Sequence, residues 1–387
     1  MGTPNSKPSP AVKKGKNNVR RKIRAVESNS ANFPPGTVIG NRFTIVEKLG
    51  SGGCGVVFKA EDRQRRKGKP VALKVETTPD GNGIKIEVEI LKCLNSSRFA
   101  IRVIHSASTD GYHYMAMTLM GKTLDVLHKR CNNFFSVSTQ VRVGIHILFG
   151  LKQLHDLGFV HRDVKPANMA LGPDGGRDAR IIHLLDFGLA RKFVHNVNGK
   201  WQMRPERRTA EYRGTKHYSS CNTHARHEQG RSDDLWSWFY VLAEMRGPLP
   251  WDEVSDEKKI QKIKETTKYA KLLSKSAVEM LEIPELLRNL GYFHRPDYLK
   301  LYMVLVQIMA RYNFHFCDPY DWEENAELGM IKSLRKILLG VEEVSASMDS
   351  TINTFEATQT TIAQRIADFA DNDLYKSEDF SINRLGF

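Results

Sequence analysis

The 387-residue chain is 41% hydrophobic and 26% charged, enough apolar material for one large domain or two smaller ones and too much for wholesale disorder. No apolar run reaches the roughly 18 residues of a membrane span, and polar Met1 to Pro10 does not read as a secretory signal, so no membrane association is expected. The net charge is +14, and the odd, scattered set Cys54, Cys93, Cys131, Cys221 and Cys317 contains no C-x-x-C pair, which argues against a disulfide framework or zinc knuckle and for reduced thiols in the cytoplasm or nucleus.

The first element is an arm. From Met1 to Thr37, Lys7, Lys13, Lys14, Lys16, Arg20, Arg21, Lys22 and Arg24 face the single acid Glu27 among Pro, Ser, Asn and Gly. Residues 1–37 are therefore expected to be a disordered basic arm: a localisation signal, a contact for nucleic acid or acidic tails, or simply solvated chain.

Strand-like runs follow at Phe43 to Leu49, Val56 to Ala60 and Val71 to Val75, then a helix-like stretch Ile84 to Leu94 and another strand at His113 to Leu119. Between the first two lies LGSGGCGVV, with Gly50, Gly52 and Gly55 spaced G-x-G-x-x-G and Val57 last. A dinucleotide turn leads from strand into helix. This one leads from strand into strand, so it reads as a flap whose backbone amides approach nucleotide phosphates, with a plain tight hairpin as the alternative. Cys54 at its tip is either a small turn residue or an oxidisable brake. Lys74 in the third strand is placed to reach phosphates beneath the flap, and the following helix offers Glu87, or Glu89, to hold it; a surface ion pair is the competing reading.

After Leu124 the pattern turns helical, with Val141 to Leu157, Leu235 to Glu244 and Leu301 to Ala310 apolar at helical spacing. His161, Arg162, Asp163, Val164, Lys165, Pro166, Ala167 and Asn168 follow the first of these, and Pro166 marks a shaped loop. Asp163 can take a proton from an attacking hydroxyl, Lys165 can neutralise a transferring phosphoryl group, and Asn168 can hold a metal. Asp186, Phe187 and Gly188 end the apolar run Ile181 to Leu185; with Asn168, Asp186 makes a two-oxygen set that suits octahedral Mg²⁺ when completed by ATP and water. Taken singly, each of these is an ordinary polar loop or turn.

Beyond Trp322 the chain becomes rich in Ser, Thr, Glu and Asp. Residues 326–387 are expected to form a tail in which Met348, Ile352, Phe355, Ile362, Ile366 and Phe369 make a candidate amphipathic helix that dimerises, packs on its own domain or folds on a partner. A monomer is expected.

The glycine flap, strand lysine, helix glutamate, HRDxKxxN and DFG, in this order, resemble a eukaryotic protein kinase over about residues 37–325. The resemblance implies an α+β bilobal kinase fold, domain 38–325, with a small mainly β lobe (about 38–119) and a larger mainly α lobe (about 120–325), using ATP and Mg²⁺. Lys165 in HRDVKPAN resembles the serine/threonine pattern. RGTKHYSSCNTH (Arg213 to His224) replaces the usual Ala-Pro-Glu and resembles the casein kinase 1 superfamily; MTLMGKTLDVL, DDLWSWFYVL, YFHRPDY and DPYDWEE look most like its tau-tubulin kinase branch.

Further roles are implied by that resemblance. Leu49, Gly50, Ser51, Gly52, Gly53, Cys54, Gly55, Val56 and Val57 would cover ATP, with Ala72, Lys74 and Glu87 beneath. Met117 would be the gatekeeper, Thr118, Leu119 and Met120 the hinge, and Asp234 a brace for the catalytic loop. Where relatives carry an arginine of an anion site, this chain has His217, mostly neutral at pH 7, so reading of a phosphorylated neighbour would be weakened or pH-sensitive. Lys262 is a further candidate cation. Arg191, Lys192, Lys200, Arg204, Arg207, Arg208 and Arg213 against Glu206 and Glu211 would attract acidic or phosphorylated protein substrates, tubulin tails among them, unless the arginines pair internally. A catalytically silent scaffold is the competing class, although Lys74, Asp163, Asn168 and Asp186 are all present.

Overall fold

The computed structural model describes residues 33–65, 68–95, 101–176, 178–323 and 374–387, with the isolated Gly2. The charged part of the arm and the Met348 to Phe369 stripe lie outside the described residues.

The smaller lobe is a six-stranded antiparallel sheet in the order β1-β2-β3-β4-β6-β5. Its strands are β1 (Val38–Ile39), β2 (Phe43–Gly52), β3 (Gly55–Asp62), β4 (Val71–Glu76), β5 (Val103–Thr109) and β6 (Tyr112–Thr118), with helix α1 (Asn82–Leu94) between β4 and β5. Alternation decides the faces: Phe43 and Ile45, Val56, Phe58 and Ala60, and Val71, Leu73 and Val75 close one apolar cluster with Tyr114 and Ala116. Phe33 already packs edge-on against Phe58 and Tyr112, and the Gly36 amide donates to Ile45 O at 2.8 Å. Residues 33–37, inside the segment expected to be arm, are thus packed on the sheet, because Phe33 has an aromatic pocket to fill.

The larger lobe is helical, built on α3 (Val137–Asp156), which is buried along most of its length and N-capped by Ser136. Around it lie α2 (Leu124–Arg130), α4 (Cys221–His224), α5 (Arg231–Glu244), α6 (Glu257–Thr266), α7 (Tyr269–Leu272), α8 (Glu282–Leu287) and α9 (Tyr298–Arg311). No described helix is long and apolar enough to cross a membrane.

Three two-stranded pieces carry the loops of interest. They pair β7 (Phe159–Val160) with β10 (Arg191–Lys192), β8 (Met169–Leu171) with β9 (Ile182–Leu184), and β11 (Val194–Val197) with β12 (Lys200–Met203). Ile84, Ile90 and Leu91 of α1 join the large-lobe core together with Phe187, so this helix is packed to both lobes. The architecture is α+β and two-lobed, with a small sheet lobe and a larger helical one.

The last described segment departs from the expected tail. Residues 374–387, with the short helix α10 (Ser377–Ser381), return to the large lobe and bury Tyr375 and Phe380 completely.

Candidate active site

The β2–β3 hairpin turns at Gly53 and Cys54, so the flap leads from strand into strand. Gly55 sits at φ 117°, where an added Cβ would run into the Val75 carbonyl; this turn needs glycine. The flap reaches down to Gly188, where a Cβ would lie 2.7 Å from that of Cys54. Burial, reinforced by Asp186, raises the Cys54 thiol to about 11, so it stays protonated and is a poor candidate for the oxidisable brake. Leu49 is half exposed above the cleft.

Beneath the flap, register places Val57 opposite Lys74, Lys74 opposite Met115 and Ala72 opposite Met117, the last residue but one of β6. Met117 packs against the large-lobe core, and Thr118, Leu119 and Met120 carry the chain across, with the Thr118 amide bonded to Arg102 O.

Lys74 Nζ stands 2.6 Å from Glu87 and 2.7 Å from Asp186. Glu89, the alternative partner, lies outside this centre and pairs with Lys192 at 3.2 Å. Burial alone would lower the Lys74 pKa, but the two carboxylates overturn that and raise it above its ordinary value, so the amine is charged. Burial pushes Glu87 up. Asp186, against the same pressure, is held below its ordinary value by Lys74. The Glu87 carboxylate also accepts from the Phe187 amide at 3.3 Å, tying α1 to the loop that bears Asp186.

The second half of the site is the loop after β7. Asp234 of α5 accepts the His161 and Arg162 amides at 2.7 and 2.8 Å and contacts His155 at 2.9 Å. Burial works to raise Asp234, yet these donors hold it below its ordinary value; the brace is an anion. So held, the loop takes Arg162 to φ 67° and presents Asp163. Thr215 Oγ1 donates to Asp163 Oδ1 at 2.6 Å, while Lys165 donates to Oδ2 at 2.7 Å and to Thr215 at 3.2 Å.

Asn168 directs its amide nitrogen to Asp163 O at 2.9 Å and Oδ2 at 3.2 Å. Its backbone carbonyl accepts from Leu185, the residue before Asp186, which sets the two side chains on adjoining turns. The Asn168 Oδ1 and Asp186 Oδ2 atoms accept no hydrogen bond among the described residues. Two uncommitted hard oxygens fit a small divalent cation completed by phosphate and water.

The basic segment is largely self-paired. Arg191 and Arg207 share Glu228, Arg213 meets Glu211 at 2.6 Å, and His217 Nε2 is 2.8 Å from Asp252 and 3.9 Å from Glu244. Burial and then Arg191, Arg207 and Arg213 lower Arg162 to about 10. Lys200, Arg204 and Arg208 have no ion pair among the described residues, and Lys262 is exposed on α6.

Sequence reading missed Thr215 and Lys264. Lys264 Nζ donates to Lys216 O at 2.9 Å and Ser219 O at 2.7 Å, contacts His224 Nε2 at 3.3 Å, and lies against the Tyr240 and Trp251 rings. Burial lowers its pKa to about 7, with only Cys221 opposing. One signal was present: Lys264 follows the buried Ile260 by four residues, on the same face of α6.

Comparison with known proteins agrees with this geometry. Residues 43–313 match the protein kinase domain family. A putative serine/threonine-protein kinase of Caenorhabditis elegans is 41% identical over 354 residues, 91% of this chain and 96% of that protein. The inactive tau-tubulin kinase ttbk-6 of the same organism is 37% identical, covering 62% of this chain and 86% of its own. The casein kinase I homolog RAG8 of Kluyveromyces lactis is 30% identical, covering 78% and 57%.

Proposed function

Because the chain belongs to the protein kinase family, as a serine/threonine kinase similar to casein kinase I and tau-tubulin kinase proteins, we propose that it transfers the γ-phosphate of ATP to serine or threonine of acidic or already phosphorylated proteins. The observation that carries this is the Asp163 carboxylate with Thr215 on one oxygen and Lys165 on the other. A substrate hydroxyl that replaces Thr215 as donor to Oδ1 is oriented for in-line attack and loses its proton to the same oxygen. Lys165, already beside Oδ2, meets the charge that develops on the transferring group. Lys74, fixed by Glu87, contacts the α- and β-phosphates under the amides of Gly50 to Val57, and Thr118 to Met120 offer backbone groups to adenine. Bound Mg²⁺ would neutralise phosphate charge, with Asn168 Oδ1 and Asp186 Oδ2 as its protein oxygens.

Support for the acidic-substrate reading comes from Lys200, Arg204 and Arg208, which keep their charge uncompensated among the described residues, and not from His217. Tubulin tails fit that chemistry. The basic arm adds a salt-sensitive nucleic-acid contact, and work in cytoplasm or nucleus suits the thiols.

The test is transfer from labelled ATP to an acidic peptide, its phosphoserine-primed form and tubulin. The Asp163→Asn variant should lose roughly 10²- to 10⁴-fold in rate with ATP still bound. Near-normal transfer by that variant would overturn the role of Asp163. One relative carries an inactive name, and ATP binding by the unaltered chain without transfer to any acceptor would favour the scaffold reading.

A further inference from the structure

The segment Leu374 to Phe387 makes two sets of contacts. The first is an anchor. Phe380 stacks on Tyr302 of α9 with ring centroids 4.1 Å apart and an interplanar angle of 9°, and meets Phe149 of α3 edge-on. Tyr375 meets Phe149 edge-on at 5.0 Å and lies beside His146 and Phe316. Lys152 and Arg295 both donate to Ile382 O, at 2.9 and 3.0 Å, and so fix where the chain leaves α10.

The second set lies at the reactive end of the lobe. Leu385 and Phe387 pack against the cluster of Val160, Phe193, Val194 and Tyr292, which also takes Met203. Val160 immediately precedes His161. Phe193 follows β10, and its amide donates to Gly158 O at 2.8 Å. These apolar residues are therefore the junction at which the segment leaving Asp186 is laid against the strand that enters the catalytic loop.

Arg231 closes the junction from below. Its guanidinium lies 5.0 Å from the Phe193 ring and 5.9 Å from the Phe387 ring, and it donates to Phe387 O at 3.5 Å and Phe293 O at 3.4 Å. Its Nε is buried with no hydrogen-bond partner among the described residues, while its terminal nitrogens meet the Phe387 and Phe293 oxygens and the Met203 sulfur. A buried cation in that condition relies on ring faces and carbonyls, and the tail supplies one of each.

We propose that residues 374–387 act in cis as a positioning element, in which Tyr375 and Phe380 anchor the segment while Leu385 and Phe387 hold the start of the activation segment against the catalytic loop. This rests on the kinase reading for its effect on rate, but not for its effect on structure. Leu385 and Phe387 touch no reacting atom. They act through Phe193, Val160 and Arg231, which lie between them and His161 to Asp163. A small displacement of Asp163 costs rate without touching the ATP contacts, so the signature is a loss in kcat with KM for ATP preserved.

The experiment compares the full chain with its Leu385→Ala/Phe387→Ala variant, which leaves both anchors in place, and with Phe380→Ala, which releases the segment. Amide hydrogen exchange is read over residues 159–164 and 191–203, and phosphate transfer in parallel. Both variants should exchange at least about tenfold faster in these two stretches, and kcat should fall about five- to tenfold with KM for ATP within twofold. A synthetic peptide of residues 374–387 added to the Phe380→Ala variant should restore slow exchange in a saturable manner. Unchanged exchange in the Leu385→Ala/Phe387→Ala variant, or faster transfer on releasing the segment, overturns the proposal. If the unaltered chain transfers no phosphate, the kinase reading fails, while exchange still decides the role of the tail.

Discussion

Lys74 and Lys264 are both buried amines, one in the candidate active site and one bonded to the loop that carries Thr215, and their surroundings are opposite. Lys74 lies between two carboxylates and is held charged, its pKa raised. Lys264 meets two carbonyl oxygens, an imidazole and two ring faces, without a carboxylate, and its pKa falls to about 7. The nucleotide side thus uses a lysine as a fixed charge that can be shared with phosphate. The acceptor side uses one as a clip, because even a neutral amine keeps two N–H groups for the Lys216 and Ser219 carbonyls. What each lysine does follows from its partners and not from its residue type.

The largest effect that would break the contrast is at Lys74. Lys74→Met removes the only cation between Glu87 and Asp186 among the described residues and leaves two buried carboxylates facing each other. Transfer should fall by about 10³-fold while the protein remains folded, as judged by phosphate release kinetics beside a thermal melt. Near-normal turnover would mean that the charge is structural only.

The clip should give a smaller and differently placed effect. Lys264→Met strips a donor from Lys216 O and Ser219 O in the loop that carries Thr215. Losing such bonds costs about 1–2 kcal/mol, or about tenfold in kcat/KM for the peptide, with KM for ATP unmoved. The same variant tests the charge state. A lysine whose folded pKa is about 7 against 10.5 when unfolded carries its full destabilising penalty below pH 7, and sheds it as pH rises toward 10.5. The stability of the unaltered chain relative to Lys264→Met should therefore rise between pH 7 and 9.5 in denaturant titrations. His224, also lowered by burial, titrates below its ordinary 6.5 and stays out of that window. A flat difference would show Lys264 to be a permanent cation like Lys74.

The two sides also differ in how much the sequence revealed. On the nucleotide side, Asp163, Lys165 and Asn168 fall within one short loop, the flap within one hairpin, and Asp186 at a strand end, so local spacing encoded the arrangement. Lys74 and Glu87 needed only a strand followed by a helix; spacing alone left Glu89 open and the resemblance favoured Glu87, and in the structure Glu87 meets Lys74 while Glu89 meets Lys192. The acceptor side is assembled over long separations. Thr215 meets Asp163 across 52 positions, Lys264 meets Lys216 across 48, and Arg231 meets Phe387 across 156. No spacing rule ties such partners together. The β11–β12 hairpin escaped notice because its strands are short and polar at the ends, and Tyr375 and Phe380 were hidden in a segment whose composition reads as tail.

The smallest effect concerns the acceptor side again. His217 stands where casein kinase 1 relatives place an arginine, but its Nε2 faces Asp252 at 2.8 Å and Glu244 at 3.9 Å, and Tyr218 donates to the same Glu244. A phosphate arriving there meets a ring nitrogen already taken by Asp252 and two acidic side chains that repel it. The unaltered chain should favour a phosphoserine-primed peptide over its unprimed form by no more than about twofold at pH 7. Asp252→Ala removes the nearer acid and releases Nε2. The primed-to-unprimed ratio should then rise about threefold, and rising salt should erase the gain. A strong preference for the primed peptide in the unaltered chain would instead place the phosphate on Lys200, Arg204 or Arg208, the basic residues of this segment that have no ion pair among the described residues.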